Sequence, residues 1–293
     1  MEEKTITLKR TIIDFLKYWL LPKGFQDILI SLFYRSSHLN KNYSFLLDNK
    51  KIENIQNGER CFIIGNGPSL ANQDLDKLKN EYTFAVSHFF MTEKFSDINP
   101  FGYVVADPAL FEESTFAIDW LTKLNSKCTD QMLFFPISAR KTIKKYKLFQ
   151  DKNIYYLDMS GQFNEDLTKF DIDLTGIVPG AQTVIIMTIM VAAYIGFEKI
   201  YLIGCDSDWA KYPFAKGYLP HFYNDKNVRS KPEICPRQNW KYEDVLNAAL
   251  IIFKSYRLLN EKLKQQGIKV YNATDGGFLD VFERVDYAKI FEK

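Results

Sequence analysis

The chain has 293 residues, with 38 Lys or Arg against 36 Asp or Glu and a formal net charge of +2. Apolar residues make up 46% and charged residues 25%, which excludes a collagen-like, mucin-like or wholly disordered chain and leaves room for a large α/β core. The balanced charge argues against a dedicated nucleic-acid binder, whose phosphate contacts need a strong basic excess.

In the first segment Leu8, Ile12, Phe15, Leu16, Trp19 and Leu20 recur at helical spacing. After the break at Pro22-Lys23-Gly24 the pattern restarts with Phe25, Ile28, Leu29, Leu32 and Phe33. Neither run reaches the roughly 20 apolar residues that a spanning helix needs. Six basic residues (Lys4, Lys9, Arg10, Lys17, Lys23 and Arg35) face two acidic ones (Asp14 and Asp27). Residues 8–33 therefore suit an amphipathic helix pair on an anionic membrane surface, or a hairpin packed on protein, including a second copy in a homo-oligomer. Residues 1–57 are expected to form this helical extension, and 58–293 the catalytic domain.

From Arg60 onward the pattern alternates. Short apolar, strand-like runs occur at 61–64, 82–87, 103–106, 132–135, 154–157, 200–203 and 268–271, and helical stretches at 74–79, 110–124, 139–148, 181–195 and 242–266. Strands spaced by helices predict an α/β, Rossmann-like, mostly parallel sheet with helices on both faces. The stretch 181–195 is nearly all apolar but short, holds Gln182 and runs through Gly196 into a strand, so it reads as a buried core helix. Cys61, Cys128, Cys205 and Cys235 contain no Cys-x-x-Cys pair, and with only three His no structural zinc site is expected. Free thiols fit a cytoplasmic protein, at most peripheral on the inner face of the membrane.

In an open parallel sheet ligands gather at the carboxyl ends of the strands, so the residues that follow each strand are the candidates. The first strand ends in Gly65-Asn66-Gly67-Pro68-Ser69. Two glycines there permit close backbone approach to a ligand, and Ser69 can cap the next helix. The turn is neither G-x-G-x-x-G nor a P-loop. Ser87-His88 follow the second strand and Asp107 the third. A second glycine turn, Gly176-Ile177-Val178-Pro179-Gly180-Ala181-Gln182-Thr183, precedes the apolar helix. Asp206-Ser207-Asp208 follow the strand at 200–203; Asp206 could cap a loop or hold a ribose hydroxyl, and the Asp-x-Asp spacing also occurs in divalent-metal sites. The irregular stretch 211–239 carries Tyr212, Tyr218, His221 and Tyr223 and has the length of a lid, placed at about residues 207–240.

Taken in order, these residues resemble the bacterial sialyltransferases of glycosyltransferase family 42, together with the related flagellin-glycosyltransferase and 6-hydroxymethylpterin diphosphokinase-like domains. The resemblance spans about residues 60–290. It rests on the 65–70 turn, on the unit from Gly180 through Gly204-Cys205-Asp206, and on the His221 segment with the helix and strand that follow. It implies a GT-A-variant fold and transfer of a sugar from a CMP-activated donor to a glycan or lipid-linked acceptor, with no metal and no added cofactor. It further implies that Gly65, Asn66, Gly67 and Ser69 meet the nucleotide, that Pro179, Gly180, Ala181 and Gln182 line its base with Asp206 nearby, and that Ser87, His88 and Asp107 lie near the donor. His221 would be the general base, and two lid tyrosines, with Tyr212, Tyr218 and Tyr223 as the candidates, would bond the departing phosphate. The family has Asn at the positions of His88 and Asp107, and Tyr at that of Asp208. These departures point to a nonulosonate other than sialic acid, to a Kdo-like sugar, or to another nucleotide.

Two other readings compete. A pterin diphosphokinase would use ATP and Mg²⁺, with Asp206, Asp208 and Asp107 as ligands. A non-catalytic partner protein would retain the fold without the chemistry.

Overall fold

The computed structural model describes residues 41–180, 182–211 and 240–292, so residues 8–33 lie outside it. The chain divides into two compact units, Met1–Leu47 and Asp48–Lys293. A 3₁₀ helix runs over Lys41–Ile52.

Nine strands among the described residues form one sheet: β1 (Arg60–Ile64), β2 (Tyr82–Val86), β3 (Gly102–Val104), β4 (Met132–Pro136), β5 (Asn153–Gly161), β6 (Ile177–Pro179), β7 (Lys199–Ile203), β8 (Lys269–Asn272) and β9 (Glu283–Arg284). Their order is β6-β5-β4-β3-β2-β1-β7-β8-β9. Every neighbouring pair is parallel, so the predicted α/β class holds. Strands buried on both faces read as continuous apolar runs, which is why their positions were visible in the sequence.

Alternation along β1 shows the two layers. Cys61 and Ile63 join a core with Phe84, Val104, Ile200 and Leu202 on one face. Phe62 and Ile64 join a second core with Ala85, Tyr103, Leu133 and Ile203 on the other. The five α-helices among the described residues are α1 (Lys94–Ile98), α2 (Thr115–Lys127), α3 (Ala139–Lys145), α4 (Val184–Ile195) and α5 (Tyr242–Gln265). The first face is covered by α4 and α5, the second by α1, α2 and α3.

In α4 every residue from Ile185 to Ile195 is buried, which accounts for the apolar stretch. Its β-branched residues cost a few tenths of a kcal/mol each in helix propensity, against about 1.5–3 kcal/mol gained per buried aliphatic side chain. Burial therefore decides. The Thr183 hydroxyl caps its start, accepting from the Ile185 N–H, and Gly196 ends it at φ 106°. The C-terminal carbonyls of Tyr194, Ile195 and Gly196 accept from the N–H groups of Asn54, Gln56 and Gly58, which ties the approach to β1 to this helix. No helix among the described residues is long and apolar enough to cross a membrane.

Several boundaries differ from expectation. The helix expected over 110–124 is a 3₁₀ turn, Pro108–Phe111, followed by α2, whose N-cap Ser114 accepts from the Ala117 N–H. The segment at 74–79 is a 3₁₀ helix, Leu75–Leu78. Within the second glycine turn, Ile177–Pro179 is a strand, bonded to the end of β5.

Candidate functional site

From β1 the sheet grows one way through β2 to β6; the chain then returns through α4 to β7 on the other side of β1. In such folds the ligand crevice lies at this reversal, which here falls at the carboxyl ends of β1 and β7.

The β1 turn is bound closely to β7. The Gly65 N–H donates to the Ile203 carbonyl and the Gly67 N–H to the Gly204 carbonyl, each at 2.8 Å. A Cβ on Gly65 would stand 2.2 Å from the Gly204 oxygen, and one on Gly67 only 1.8 Å from Asp206 Oδ2. The glycines are thus required by the neighbouring strand end, where the sequence suggested approach to a ligand. Ser69 also differs from expectation. It sits inside the 3₁₀ helix Pro68–Asn72, whose N-cap is Gly67, so it caps nothing. Instead its N–H donates to Asp206 Oδ1 (3.2 Å) and its hydroxyl to Oδ2 (2.7 Å). Asp206 is buried, and burial raises its carboxyl pKa above the ordinary value; the Ser69 bonds oppose the shift and the Asp208 charge adds to it. Each oxygen of Asp206 thus accepts one hydrogen bond from Ser69.

Asn66 links the turn to the other neighbour. Its Nδ2 donates to the Val86 carbonyl at the end of β2 (2.9 Å), while its buried Oδ1 has no hydrogen-bond partner among the described residues. Ser87, next along, holds a left-handed φ of 51°, a conformation that costs a non-glycine residue of order 1 kcal/mol and concentrates at functional sites. Its carbonyl accepts from the Tyr103 hydroxyl at 2.7 Å. His88 packs edge-on against Trp120, ring centroids 5.3 Å apart. Asp107 is exposed and caps the Pro108 turn, accepting from the Ala109 N–H at 3.0 Å.

The second turn divides. Pro179 and Gly180 stay with β5 at the sheet edge: the Gly180 N–H donates to the Gly161 carbonyl, and a Cβ there would meet the Met159 oxygen at 2.6 Å. Gln182 is exposed and, with Trp240, Asp244, Asn247 and Ile251, lines an open cavity of about 390 Å³. Thr183 and Ser207 both lie near the buried Tyr256 hydroxyl of α5; burial pushes the phenol pKa well up, and these two neighbours oppose the shift. Ser207 adjoins Asp206 and has φ 52°. Tyr256 thus stands beside both the start of α4 and the segment whose Asp206 holds Ser69. Ala181, Tyr212, Tyr218, His221 and Tyr223 lie outside the described residues.

A third wall was not anticipated: the segment after β8. The Cys205 N–H donates to Thr274 Oγ1 (3.0 Å) and the Phe278 N–H to the Asp206 carbonyl (2.7 Å). Gly277, at φ 75°, approaches Asp206 so closely that a Cβ would lie 2.5 Å from its carbonyl oxygen. Gln73 accepts from the Gly204 N–H and donates to the Ala273 carbonyl. The signal was available, since Thr274-Asp275-Gly276-Gly277 is another polar, glycine-bearing run directly after a strand.

The description "6-hydroxymethylpterin diphosphokinase MptE-like" belongs to the family model that matches residues 37–211, more than half of the chain. The chain belongs to this family. No curated protein matches the sequence. Among solved structures, this MptE-like chain is similar to the sialyltransferase CstII from Campylobacter jejuni in complex with cytidine-5'-monophosphate. Identity is 18% and the TM-score 0.45, over 78% of this chain and 86% of that one. It is also similar to the monofunctional alpha-2,3-sialyltransferase Cst-I from Campylobacter jejuni, with 15% identity and a TM-score of 0.45, over 78% of this chain and 80% of that one. Among the described residues no group of three His, Cys, Asp or Glu side chains is placed to hold a metal ion.

Proposed function

We propose that this MptE-like protein is a glycosyltransferase that moves a nonulosonate- or Kdo-like sugar from a CMP-activated donor to a cell-surface glycan or lipid-linked acceptor. The observation that carries the reading is the pair of hydrogen bonds from Ser69 to Asp206, which joins the turn after β1 to the segment after β7 at the switch point. The nearness of Tyr256 to both Thr183 and Ser207 supports counting the start of α4 with the same cradle. Asn66 Oδ1 is a buried acceptor without a partner there, suited to a ribose hydroxyl.

In the proposed reaction the acceptor hydroxyl oxygen bonds to the anomeric carbon as the bond from that carbon to the CMP phosphate oxygen breaks. His221 takes the hydroxyl proton as general base. Tyr218 and Tyr223 donate hydrogen bonds to the phosphate oxygen that receives the electron pair. Such a leaving group needs donors, so no metal or other cofactor is assigned to the step. Residues 8–33 would hold the enzyme at an anionic membrane surface, close to a lipid-linked acceptor.

The family description favours a second reading, an ATP- and Mg²⁺-dependent diphosphokinase. Its expected ligands have other partners: Asp206 holds Ser69, Asp107 caps a turn, and Asp208 lies 3.5 Å from Lys211 Nζ.

A thermal-shift screen with CMP, CDP, UDP, GDP and ATP, with and without Mg²⁺, separates the readings. A ligand at a hundredfold excess over its Kd stabilises the native state by about 2.7 kcal/mol. CMP acting without metal is the expected result, and His221→Ala should keep that shift while losing about 10²–10⁴ in transfer rate from a CMP-sugar. A shift from ATP with Mg²⁺ alone would replace the proposal with the kinase reading. Silence from every nucleotide would leave a non-catalytic fold.

A further inference from the structure

The segment after β8 presents a feature that the nucleotide cradle does not use. Phe278 is 50% exposed, although its own N–H is anchored to the Asp206 carbonyl. An exposed aromatic ring on a loose loop would be unremarkable, but this loop is pinned. The Arg284 guanidinium donates to the carbonyls of Thr274, Gly276, Gly277 and Leu279, at 3.4, 2.7, 2.9 and 3.3 Å. Asn272 Nδ2 donates to the Leu279 carbonyl as well (2.6 Å). Gly276 and Gly277 hold φ values of 84° and 75°, a conformation that glycine adopts without strain. Over the ring stands a cation: Lys211 Nζ is 4.1 Å from the Phe278 centroid. The Lys211 side chain is 46% exposed, and Asp208, the carboxylate beside it, is 3.5 Å away and mostly buried. An ammonium has three donors, and these two contacts leave it able to meet a further anion. The result is a fixed apolar plate with a positive charge at its face, one residue pair away from the carboxylate that clamps the β1 turn.

We propose that Phe278 and Lys211 form a sugar subsite at the mouth of the crevice. The C–H groups of an acidic pyranose pack against the part of the Phe278 ring that the ammonium leaves open, and its carboxylate pairs with Lys211 Nζ. The assignment of this sugar to a transfer reaction rests on the glycosyltransferase reading; its binding does not. Stacking supplies the apolar share of the affinity, and the ammonium discriminates an acidic sugar from a neutral one. The same chemistry would suit the sugar of the donor or an acidic residue of the acceptor.

Saturation-transfer NMR on the full chain tests this with six probes: CMP, CMP-N-acetylneuraminate, the methyl glycosides of N-acetylneuraminate and Kdo, and the methyl esters of those two glycosides. The wild-type chain should bind an acidic sugar, free or CMP-linked, more tightly than its ester. Phe278→Ala should weaken that binding about tenfold with CMP affinity unchanged, and Phe278→Trp, which keeps a ring, should retain it. Lys211→Gln should erase the preference for acid over ester. Loss confined to the CMP-sugar places the donor on the plate, whereas loss confined to the glycosides places the acceptor there. The proposal is overturned when the wild type binds no acidic sugar, when Phe278→Ala binds it as well as wild type, or when CMP affinity falls in parallel. CMP binding without any acidic-sugar binding removes the subsite and spares the transferase reading. Acidic-sugar binding that depends on Phe278, with no nucleotide bound, does the reverse.

Discussion

Gly67→Ala isolates the contact on which the cradle depends. Gly67 has φ −67° and ψ 155°, values open to any residue, so the backbone itself would accept alanine. On an unstrained backbone this exchange ordinarily stabilises by about 0.4–1 kcal/mol through the unfolded chain. Here the new methyl would stand 1.8 Å from Asp206 Oδ2, 2.6 Å from its Cγ and 2.8 Å from the Gly204 carbonyl oxygen. The carboxylate must leave, and with it go the two Ser69 bonds. Hydrogen bonds to a charged group contribute about 1.5–3 kcal/mol each, so the loss is about 3–5 kcal/mol after the unfolded-state gain and some relaxation. Urea denaturation followed by linear extrapolation reads this directly. The decisive comparison uses an Asp206→Ala background, where the obstacle is gone. Gly67→Ala should then cost about 1–2 kcal/mol, the remainder coming from the Gly204 carbonyl, which gives a coupling of about 2 kcal/mol. Equal costs in the two backgrounds would show that Asp206 is not what excludes a side chain at this position.

Two further substitutions test the bonds on either side. Ser69→Ala removes the 2.7 Å bond to Asp206 and should cost about 2 kcal/mol near neutral pH. Because burial raises the folded pKa of Asp206, the native state holds a proton that the unfolded state has already released. This term therefore lowers stability as pH rises from the unfolded value, about 3.9, through the folded one. Removing Ser69, whose bonds lower that pKa, should raise it further, so the penalty should grow as pH rises above the wild-type folded pKa and level off above the variant's; a pH-independent penalty would contradict the assignment. Tyr256→Phe keeps the buried ring and deletes the hydroxyl that lies beside Thr183 and Ser207. A stability loss of about 1–2 kcal/mol is expected, with weaker CMP binding by calorimetry, and undiminished CMP affinity would show that the second turn does not belong to the cradle.

Much of the architecture was readable because it is local. Runs such as Phe62-Ile63-Ile64 and Leu202-Ile203 are short, apolar and followed by glycine or polar residues, and α4 is apolar all round. Elements of two or three residues were not readable. β6 lies between two glycines and ends in proline, so its residues looked like turn, and β9 is a pair of charged residues. The break before α2 was present as Ser114, a capping residue inside what looked like one helix, with Asp107-Pro108 starting a separate turn just ahead of it.

The site was legible in a different sense. A parallel sheet sends the residue after each strand to the same edge, so a list of strand ends is already a list of neighbours. It does not say which neighbours touch. Ser69 and Asp206 are 137 positions apart, and only the placement of β7 beside β1, with four further strands on the far side of β2, makes them partners. Read singly, Asp206 is a free carboxylate open to metal or ribose, and Gly67 a vacancy open to phosphate. Read as a pair, each explains the other: the carboxylate fills the space that the glycine leaves. What the crevice still offers a ligand is then carried by the groups this pairing leaves over, the Asn66 carbonyl oxygen and the half-exposed Phe278 ring. Those two groups, more than the glycines that first marked the site, are where donor and acceptor selectivity should be sought.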